Sequence, residues 1–537
     1  MTRVEKQDLT NTAEAGEETI PVAEEFVEIL ESQGLESHAK AYQKVLEIAR
    51  VVQDAGGQAL LVGGSVRDMV MNKISKDYDI EIYGLEPEKI EQIVASQGKV
   101  SDVGKAFGIL KVSLDEGIDI DISLPRFDSK IGDGHKGFEI KADPNMSIKD
   151  AARRRDFTMN SISADPLTGK INDPFGGVQD IKDRIIRVTD LERFRDDPLR
   201  VLRAIQFMGR FGMSLDEKSA ELIQEMVPEL NDLPRERIFE EWKKLLLKSE
   251  KPSLGLIAGM NLGVLSEIHP QFPPLTKTKQ EPDWHPEGDA WVHTLMSVDS
   301  AAEIIDREEI TEDRALVVML ATLCHDLGKP DTTSLNEAGQ IISHGHEPAG
   351  EEPTKEFLKS LGADNKTRDK VLKLVTNHMA PSMLYIDKVI KGKKVGDGAI
   401  RKLAKRIHPA TIQELVAVAM ADHLGRGPFT DPEVPEQLLL SDGFPAGPWL
   451  LDWSRRLGVE TSKPADLIRG RDLILLGFKP GKNVGQVVKL ANSLRDDKGL
   501  SESDVFGHIA ILSPEGVVSE EDENQIISGL AKVLEEK

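Results

Sequence analysis

The sequence predicts an α+β N-terminal region, with a mixed antiparallel sheet and helices, followed by regions that are all-α. Between residues 57 and 165, apolar strand-like runs alternate with glycine turns and short helices, as in LLVGGSVRDMVMNKISKDYDIEIYG. From residue 166 onward helical periodicity dominates, as in RDDPLRVLRAIQFMGRFG. This change of pattern predicts a sheet-containing head and a long helical remainder.

The chain has 537 residues and a mass of 59.2 kDa, which at about 150 residues per domain is enough for three or four domains. A proline-rich polar stretch at residues 270–288 predicts a linker, and most of the histidines follow it. We therefore predict a polar N-terminal segment with leading helices (1–56), the head (57–165), a helical neck (166–284), a histidine-rich helical domain (285–430) and a helical tail (431–537).

The formal net charge of −24 argues against a protein that binds nucleic acid over its whole surface. Basic clusters at residues 153–155 and 388–406 still allow a local anion site, because salt screens charges beyond about 8 to 10 Å. The sequence contains no run of about 18 apolar residues and no signal-peptide core, so we expect no membrane span. The single cysteine, Cys324, excludes an internal disulfide and predicts a cytoplasmic location.

Two strand-like stretches carry alternating carboxylates. Asp77 and Asp79 share one face of the first strand, and Asp119 and Asp121 share one face of the second. If the strands are neighbours, three or more carboxylates converge, and a hard divalent cation with oxygen ligands would relieve their repulsion. Two such ions about 3.5 to 4 Å apart can hold the attacking and leaving oxygens of a phosphoryl displacement. The alternative is a solvated sheet face.

Gly63 and Gly64 follow an apolar strand and precede a helix that begins near Ser65. This arrangement places backbone N–H groups and a positive helix end close to the carboxylates. Arg67 lies in the first turn and can reach a phosphate there, while Ser65 is also explained as a helix cap. The spacing suits a triphosphate held between a helix start and metal-bearing strands.

Four motifs occur in order along the head and neck: GGSVRD, KDYDI, ARRRDFTMNSIS and RDDPLRVLRAIQF. They resemble the successive motifs of the class II tRNA nucleotidyltransferases, the CCA-adding enzymes, and the bacterial poly(A) polymerases share much of the pattern. The resemblance implies that Asp77 and Asp79 are the catalytic Mg²⁺ ligands. It assigns the third acidic position to Asp121, with Asp119 as the alternative.

The same resemblance implies how a nucleotide is held and read. An aspartate acceptor beside an arginine donor matches the amino group and ring nitrogen of cytosine and adenine, and opposes uracil and guanine. Without the resemblance, Asp197 and Arg200 would be interpreted as a salt bridge on a helix face, and Arg153, Arg154 and Arg155 as a solvated basic cluster. The nucleotide-binding residues implied are Gly63, Gly64, Arg67, Arg155, Asp156, Asn160, Asp197, Arg200 and Arg203, of which Asp197 and Arg200 form the base-reading pair.

Residues 127–147 form a polar, glycine-bearing segment. It is similar to the flexible loop of relatives that add the terminal adenosine, and relatives that add only CC have a shorter loop. The segment therefore favours addition of the full CCA, or of its terminal A. The partners implied by the resemblance are tRNA, CTP and ATP, with Mg²⁺ as cofactor.

Most of the 12 histidines fall in the predicted histidine-rich domain, several beside carboxylates. Their order along the chain resembles that of the HD phosphohydrolases, in which imidazole and carboxylate groups hold a divalent transition metal and an activated water. The alternative is an inactive module that orients tRNA. The resemblance implies metal ligands at His293, His325, Asp326 and Asp422, and a second metal or a phosphate contact at His344, His346 and His378.

Head, neck and HD region together look like the bacterial multifunctional CCA proteins, which also show phosphatase and cyclic phosphodiesterase activity. We therefore expect a tRNA nucleotidyltransferase that works without a nucleic-acid template, with a second hydrolase activity. The rivals are a poly(A) polymerase, an HD phosphohydrolase with an inactive transferase head, and a non-catalytic RNA-binding protein. The lysines at 388, 391, 393 and 394 are candidate phosphate contacts or a solvated helix face, and the pattern makes no prediction about oligomeric state.

Overall fold

The computed structural model describes residues 20, 23–75, 77–96, 99–101, 109–113, 119–130, 138–427, 443–514, 516–517 and 519–535. The chain divides into two compact units, the first comprising Met1–Leu245 and Leu254–Ile268 and the second Leu246–Ser253 and His269–Lys537. The finer division into five segments stays a prediction.

The first unit is built around a mixed sheet. Among the described residues, seven strands pair in the order β3-β4-β5-β2-β1-β8-β9, with β2 and β5 parallel and the other neighbours antiparallel. The prediction of a mixed, largely antiparallel sheet is confirmed, although its last strand lies beyond the predicted head boundary at residue 165. The strands are β1 (Gln58–Val62), β2 (Tyr78–Tyr83), β3 (Lys99–Ser101), β4 (Ile109–Ser113), β5 (Asp119–Ser123), β6 (Arg126–Lys130), β7 (Phe138–Ala142), β8 (Ser163–Ala164) and β9 (Ile171–Asn172).

The helices of the first unit lead into the sheet and follow it. The two leading helices pack on each other, and the second packs on β1 and β2, where the rings of Tyr42 and Tyr78 lie 5.7 Å apart. The helices are α1 (Ala23–Ser32), α2 (Glu36–Asp54), α3 (Gly64–Val70), α4 (Pro87–Ala95), α5 (Ile148–Arg153), α6 (Gly177–Lys182), α7 (Leu191–Phe194), α8 (Leu199–Phe211), α9 (Glu217–Met226), α10 (Arg235–Lys248), α11 (Pro252–Asn261) and α12 (Val264–Ile268).

Short connections complete the first unit. β6 and β7 form a separate antiparallel hairpin, and a two-residue parallel pair joins β10 (Ile185–Ile186) to β11 (Ser214–Leu215). Phe157 packs edge-on against Phe194 and Phe207, with ring centroids 5.5 and 5.7 Å away. These contacts hold the segment after α5, which carries Arg155, Asp156 and Asn160, against α7 and α8, of which α8 carries Arg200 and Arg203.

Where the structure describes the second unit, its regular secondary structure is helical except for one short hairpin, β12 (Ser334–Leu335) with β13 (Ile341–Ile342), which agrees with the predicted all-α remainder. Helices α13, α14 and α21 pack against one another at its centre. The helices are α13 (Ala290–Arg307), α14 (Glu312–Cys324), α15 (Lys329–Thr332), α16 (His346–Ala349), α17 (Glu351–Leu361), α18 (Asn365–Val375), α19 (Ala380–Tyr385), α20 (Asp397–Ile407), α21 (Ile412–Leu424), α22 (Ala446–Arg456), α23 (Gly470–Leu475), α24 (Lys482–Lys498), α25 (Glu502–Leu512) and α26 (Glu520–Glu535).

Local sequence explains where the central helices begin. Asp289 caps α13 by accepting hydrogen bonds from two backbone N–H groups of the first turn. Thr411 and Glu414 form a capping box at the start of α21. Helix α14 is buried over the whole run from Ala315 to Cys324, as its near-continuous apolar sequence requires. In the described part of the chain, no helix combines the length and apolarity needed to cross a bilayer.

The packing of α20 on α24 gives a stability prediction. A Cβ at Gly398 would lie 1.7 Å from the backbone oxygen of Asp496, whereas a Cβ at Gly396 would meet no atom within 4 Å. We expect Gly398→Ala to destabilise the second unit by about 1 to 3 kcal/mol, because the helices must separate. Gly396→Ala is the matched control and should change the unfolding free energy by less. Urea unfolding measures both, and equal effects would contradict this packing.

Candidate active sites

The two acidic strands are neighbours in the sheet. β2 and β5 run parallel, and Asp79 lies opposite Asp121 in the register, so both side chains project from the same face. Asp77 is exposed and immediately precedes β2, and β5 begins at Asp119. The predicted convergence therefore occurs in the structure for Asp79 and Asp121. Two carboxylates placed side by side supply the hard oxygen donors that Mg²⁺ prefers.

The next carboxylate along β2, Glu81, has a different environment. Its side chain is buried, accepts a 2.7 Å hydrogen bond from Arg154 and a 2.6 Å hydrogen bond from Tyr83, and lies 3.9 Å from Arg155. Burial alone would raise the pKa of Glu81, but the two arginines and the tyrosine lower it overall. Glu81 is thus a charged anchor for the arginine cluster.

The glycine turn between β1 and α3 brings backbone next to these charges. Gly63 has φ of 70°, a conformation that side chains other than glycine rarely adopt. A Cβ there would lie 2.9 Å from Nη1 of Arg155 and 3.7 Å from Oδ2 of Asp79. The backbone conformation at Gly63 therefore favours glycine, and a side chain there would also require the Arg155 guanidinium to move. Helix α3 begins at Gly64 and points its first N–H groups into this region.

A cavity of about 480 Å³ opens beside the turn. It is strongly cationic, since seven arginines and three aspartates line it, in a chain whose net charge is −24. Such a cavity suits a polyanionic ligand. Ten of the predicted residues line the cavity, whereas Asp77 and Asp121 do not. The ten are Gly63, Gly64, Arg67, Asp79, Arg155, Asp156, Asn160, Asp197, Arg200 and Arg203. Four further residues complete the lining: Arg126, Arg154, Leu199 and Arg237.

One hydrogen-bonded chain fixes several of these side chains. Arg67 donates to Asp68 at 2.9 and 2.6 Å and to Oδ1 of Asn160 at 2.8 Å. Asn160 in turn donates to Asp156 at 2.9 Å, and Arg203 donates to the other oxygen of Asp156 at 2.6 Å. Burial alone would raise the pKa of Asp156, but Arg203 and Asn160 lower it overall. Arg67 therefore restrains Asn160 directly, and Asp156 through Asn160.

Asp197 precedes helix α8 instead of lying within it, so it does not share a helix face with Arg200 as the spacing suggested. Its Oδ1 accepts the N–H of Leu199 at 3.1 Å, and its Oδ2 accepts a hydrogen bond from Arg237 at 2.8 Å. The sequence analysis missed Arg237, because nothing in RERIFEEW distinguishes it from an ordinary helix-surface arginine.

Arg200 is the other half of the predicted base-reading pair. Its Nη1 donates to the carbonyl of Arg193 at 2.8 Å, and its Nη2 donates to the carbonyl of Arg154 at 2.7 Å. Two separate stretches of main chain therefore set its direction. Asp197 and Arg200 both line the cavity with their directions fixed by other groups, as reading a flat heteroaromatic edge requires.

The second unit gathers the first four predicted metal ligands. His293 lies on α13, His325 and Asp326 directly follow α14, and Asp422 lies on α21. Nε2 of His293 lies 3.0 Å from Oδ1 of Asp422 and 3.9 Å from Oδ2 of Asp326, and Nε2 of His325 lies 3.3 Å from Oδ2 of Asp326. Three of them, His293, His325 and Asp326, are close enough together to hold one metal ion.

A second group shares Asp326 with the first. Nε2 of His346 lies 3.7 Å from Oδ1 of Asp326 and 3.2 Å from Nε2 of His378, and the three residues can also hold a metal ion. His344 is exposed and lies outside both groups, although it lines the same cavity. Burial lowers the pKa of His378 to about 3, so its ring is neutral at pH 7.

The ring nitrogens are oriented for a cation. Nδ1 of His325, His346 and His378 lies 2.7, 2.9 and 2.7 Å, respectively, from the backbone carbonyl three residues earlier. A carbonyl only accepts, so each Nδ1 carries a proton, and Nε2 of each ring is the nitrogen that can present a lone pair to a metal ion. Among the described residues, the buried Nε2 of His325 makes no hydrogen bond. Lone pairs that face each other at 3.2 Å need a cation between them, so this donor set fits a transition metal.

The cavity at this site measures about 370 Å³ and combines charge with apolar wall. Lys329 lies 2.7 Å from Asp326, and Arg426 lies 3.6 Å from Asp422. Both line the cavity together with Trp284, Tyr385, Ile386 and Phe444. Two cations next to the carboxylates, facing an apolar wall, suit a phosphate ester with a hydrophobic body.

Glu287 and His285 also belong to this site and were missed. Oε1 of Glu287 lies 2.8 Å from Nδ1 of His293 and 2.8 Å from Nδ1 of His285, and Oε2 accepts the N–H of Gly427 at 3.1 Å. Glu287 thus connects the start of α13 to the end of α21. The signal available was the His-Pro-Glu-Gly run, which the sequence analysis placed in or beside the linker.

Relatives of known name resemble most of the chain. The multifunctional CCA protein of Stenotrophomonas maltophilia (strain K279a) is 31% identical over 385 residues, which is 70% of this chain and 88% of the relative. That of Pasteurella multocida (strain Pm70) is 31% identical over 391 residues, or 71% and 87%. The chain belongs to the multifunctional CCA protein family.

Three family models match successive parts of the chain. "Poly A polymerase head domain" matches residues 59–187, "Probable RNA and SrmB- binding site of polymerase A" matches 212–275, and "HD domain" matches 291–441. The predicted family resemblance is thereby confirmed. Both Glu287 and His285 lie just before the HD match.

Solved structures agree with the fold. A CCA-adding enzyme of Bacillus stearothermophilus in complex with CTP superposes with a TM-score of 0.57 at 20% identity, covering 92% of this chain and 97% of that one. A CCA-adding enzyme complex with ATP gives 0.54 at 20% identity, covering 91% and 96%. At this level of identity the similarity concerns the fold, and the predicted roles of single residues remain predictions.

The histidine geometry predicts cation-dependent stability. We expect Mn²⁺ or Co²⁺ to raise the thermal unfolding temperature of the second unit and a chelator to reverse the rise, because an ion that binds the folded state stabilises it by about 2.7 kcal/mol at a hundred times its Kd. His378→Gln should lower the bound metal measured by elemental analysis. The exposed His344→Gln is the matched control and should leave it unchanged. Equal losses from the two variants would contradict the assignment of the second group.

Proposed function

We propose that this protein extends the 3′ end of tRNA with CTP and ATP, without a nucleic-acid template, and that its HD domain is a second, hydrolytic active site. The observation that carries the first activity is the cationic cavity of the head, which is lined by Asp79 of the acidic strand pair β2 and β5. Membership of the multifunctional CCA protein family supports both activities. The single cysteine supports a reducing cytoplasm as the working compartment.

In the proposed transfer, the terminal 3′ oxygen of the RNA attacks the α-phosphorus of the nucleotide, one P–O bond forms, and the bond to pyrophosphate breaks. We assign Asp77 and Asp79 as the residues that hold Mg²⁺, which would supply positive charge to the attacking and leaving oxygens. Asp121, beside Asp79 in the register, accepts the proton of the 3′ hydroxyl. Asp119 is the alternative for this acidic position.

The cavity supplies the contacts for the rest of the nucleotide. Arg155 stands next to the glycine turn, where it can bind a phosphate bidentately. The N–H groups that start α3 at Gly64 add donors for the same anion. Asp156 and Asn160, each buried and hydrogen-bonded, can bind ribose hydroxyls through their remaining lone pairs and N–H groups. Arg67 and Arg203 hold this pair in place.

Base choice falls to Asp197 and Arg200. The Asp197 carboxylate can accept from the amino group of cytosine or adenine, and Arg200 can donate to the adjacent ring nitrogen. Uracil and guanine present a carbonyl and an N–H at those places, so each would leave a mismatched polar group in the site. We propose this pair as the protein's substitute for a template.

The loop predicted to permit addition of the terminal adenosine, 127–147, is described only in part. β6 and β7 lie in it and pair as a hairpin, and residues 131–137 lie outside the described part of the chain. Its length supports addition of the complete CCA, or of the terminal A, over addition of CC alone.

At the HD site we propose hydrolysis of a phosphate ester of the 2′,3′-cyclic or monoester type. His293, His325, Asp326 and Asp422 would hold a divalent transition metal, which would supply an activated water. A second ion would lie with Asp326, His346 and His378. Lys329 and Arg426 can orient the phosphate, because they stand at the carboxylates and line the cavity. The exposed His344 lines the same cavity.

The assay that tests the transferase uses full-length protein, tRNA lacking its 3′ CCA, Mg²⁺ and one labelled nucleotide at a time. We expect incorporation from CTP, then from ATP, and a stop after three additions, while UTP and GTP are refused. Long adenosine tails would identify a poly(A) polymerase instead. Hydrolysis of a 2′,3′-cyclic nucleotide without any incorporation would identify a hydrolase with an inactive head.

Substitutions of the acidic residues on β2 and β5 test whether nucleotide incorporation depends on these carboxylates. Asp79→Asn and Asp121→Asn should lower incorporation by about 10³-fold or more without lowering the unfolding temperature, since the first removes a proposed Mg²⁺ ligand and the second removes the proposed proton acceptor. Glu81→Gln is the matched control: it should keep a large share of the activity and destabilise the first unit by about 1 to 3 kcal/mol, because it weakens a buried ion pair. Complete loss of transfer in Glu81→Gln, as in Asp79→Asn, would contradict the structural role given to Glu81.

A further inference from the structure

Arg237 holds the carboxylate that we assign to base reading. It lies in the first turn of α10, lines the head cavity, and donates from Nη2 to Oδ2 of Asp197 at 2.8 Å. Forty positions separate the two residues in the chain, so this contact is formed by the fold. The side chains of Arg237 and Asp197 are 34% and 30% exposed, which leaves the pair open to a ligand in the cavity.

Both oxygens of Asp197 are engaged. Oδ1 accepts the N–H of Leu199 at 3.1 Å, while Oδ2 accepts from Arg237. One partner is main chain at the start of α8 and the other is on a different helix, so together they fix the plane of the carboxylate. Each oxygen has a second lone pair, and the carboxylate can therefore still accept a hydrogen bond from a base.

We infer that Arg237 is a positioning residue for nucleotide selection: it fixes the carboxylate of Asp197 so that this group presents an acceptor, in one direction, to the amino group of cytosine or adenine. The inference rests on the proposed function and adds a third member to the base-reading pair. Arg237 acts through Asp197 and needs no contact with the base.

Selectivity depends on this restraint because the other half of the pair is already fixed. Arg200 is held by the carbonyls of Arg193 and Arg154, so its donor direction does not depend on α10. Without Arg237, only the Leu199 N–H would restrain Asp197, and the carboxylate could turn away from the position of a uracil or guanine carbonyl. The penalty that excludes those bases would fall, while the contacts to phosphate and ribose would remain.

The test compares kcat/KM for each of CTP, ATP, UTP and GTP in the tRNA extension assay. A well-placed pair of base contacts is worth about 1 to 3 kcal/mol, so we expect Arg237→Ala to reduce the preference for CTP over UTP by about tenfold to a hundredfold. Arg237→Lys keeps one donor and should stay closer to the parent. Arg235→Ala is the matched control, because Arg235 lies in the same turn of α10, is exposed and does not line the cavity.

A double-mutant cycle separates positioning from general support. If Arg237 acts through Asp197, the preference should fall no further in the double variant Asp197→Ala, Arg237→Ala than in Asp197→Ala alone. Equal loss of rate for all four nucleotides, with the preference intact in Arg237→Ala and Arg237→Lys, would overturn the inference. Absence of incorporation by the parent protein would instead overturn the proposed function, so the two failures are distinguishable.

Discussion

The parallel pairing of β2 with β5 is the constraint on which the first site depends. Its register places Asp79 beside Asp121, and two carboxylates on neighbouring strands repel each other unless positive charge is near. Glu81, two residues further along β2, is buried and accepts hydrogen bonds from Arg154 and Tyr83, whereas Asp79 lines the cavity. The row of acids on β2 therefore combines a structural anchor with a carboxylate that can reach a cation in the cavity.

The candidate metal ligands of the second unit supply a different set of donor atoms. The Nδ1–H groups of His325, His346 and His378 donate hydrogen bonds to backbone carbonyls. These bonds orient the three rings so that their Nε2 atoms face inward. Oxygen donors in the head suit Mg²⁺, and mixed nitrogen and oxygen donors here suit a transition metal. The two compact units therefore present donor sets that suit different kinds of metal ion.

Local patterns in the sequence predicted what depends on local geometry. The alternation of apolar and acidic residues predicted the strand β2, and the glycine pair predicted the turn into α3, because strand and turn geometry repeat over a few residues. The ordered motifs gave the family. Partners that the tertiary fold brings together were not predictable: Glu81 with Arg154 and Asp197 with Arg237 lie 73 and 40 positions apart. The three-residue spacing of Asp197 and Arg200 suggested that both lie on one face of a helix, which is wrong because Asp197 precedes α8.

The function proposed for the head depends most on a cation held by Asp79, on the face that it shares with Asp121, and not by Glu81. Anomalous diffraction from crystals grown with Mn²⁺ and a non-hydrolysable CTP analogue tests it most directly. The account predicts an anomalous peak within coordination distance of the Asp79 carboxylate, on the face that it shares with Asp121, and none at Glu81. A peak bound by Glu81, or the absence of any peak beside Asp79 with the nucleotide in place, would contradict it.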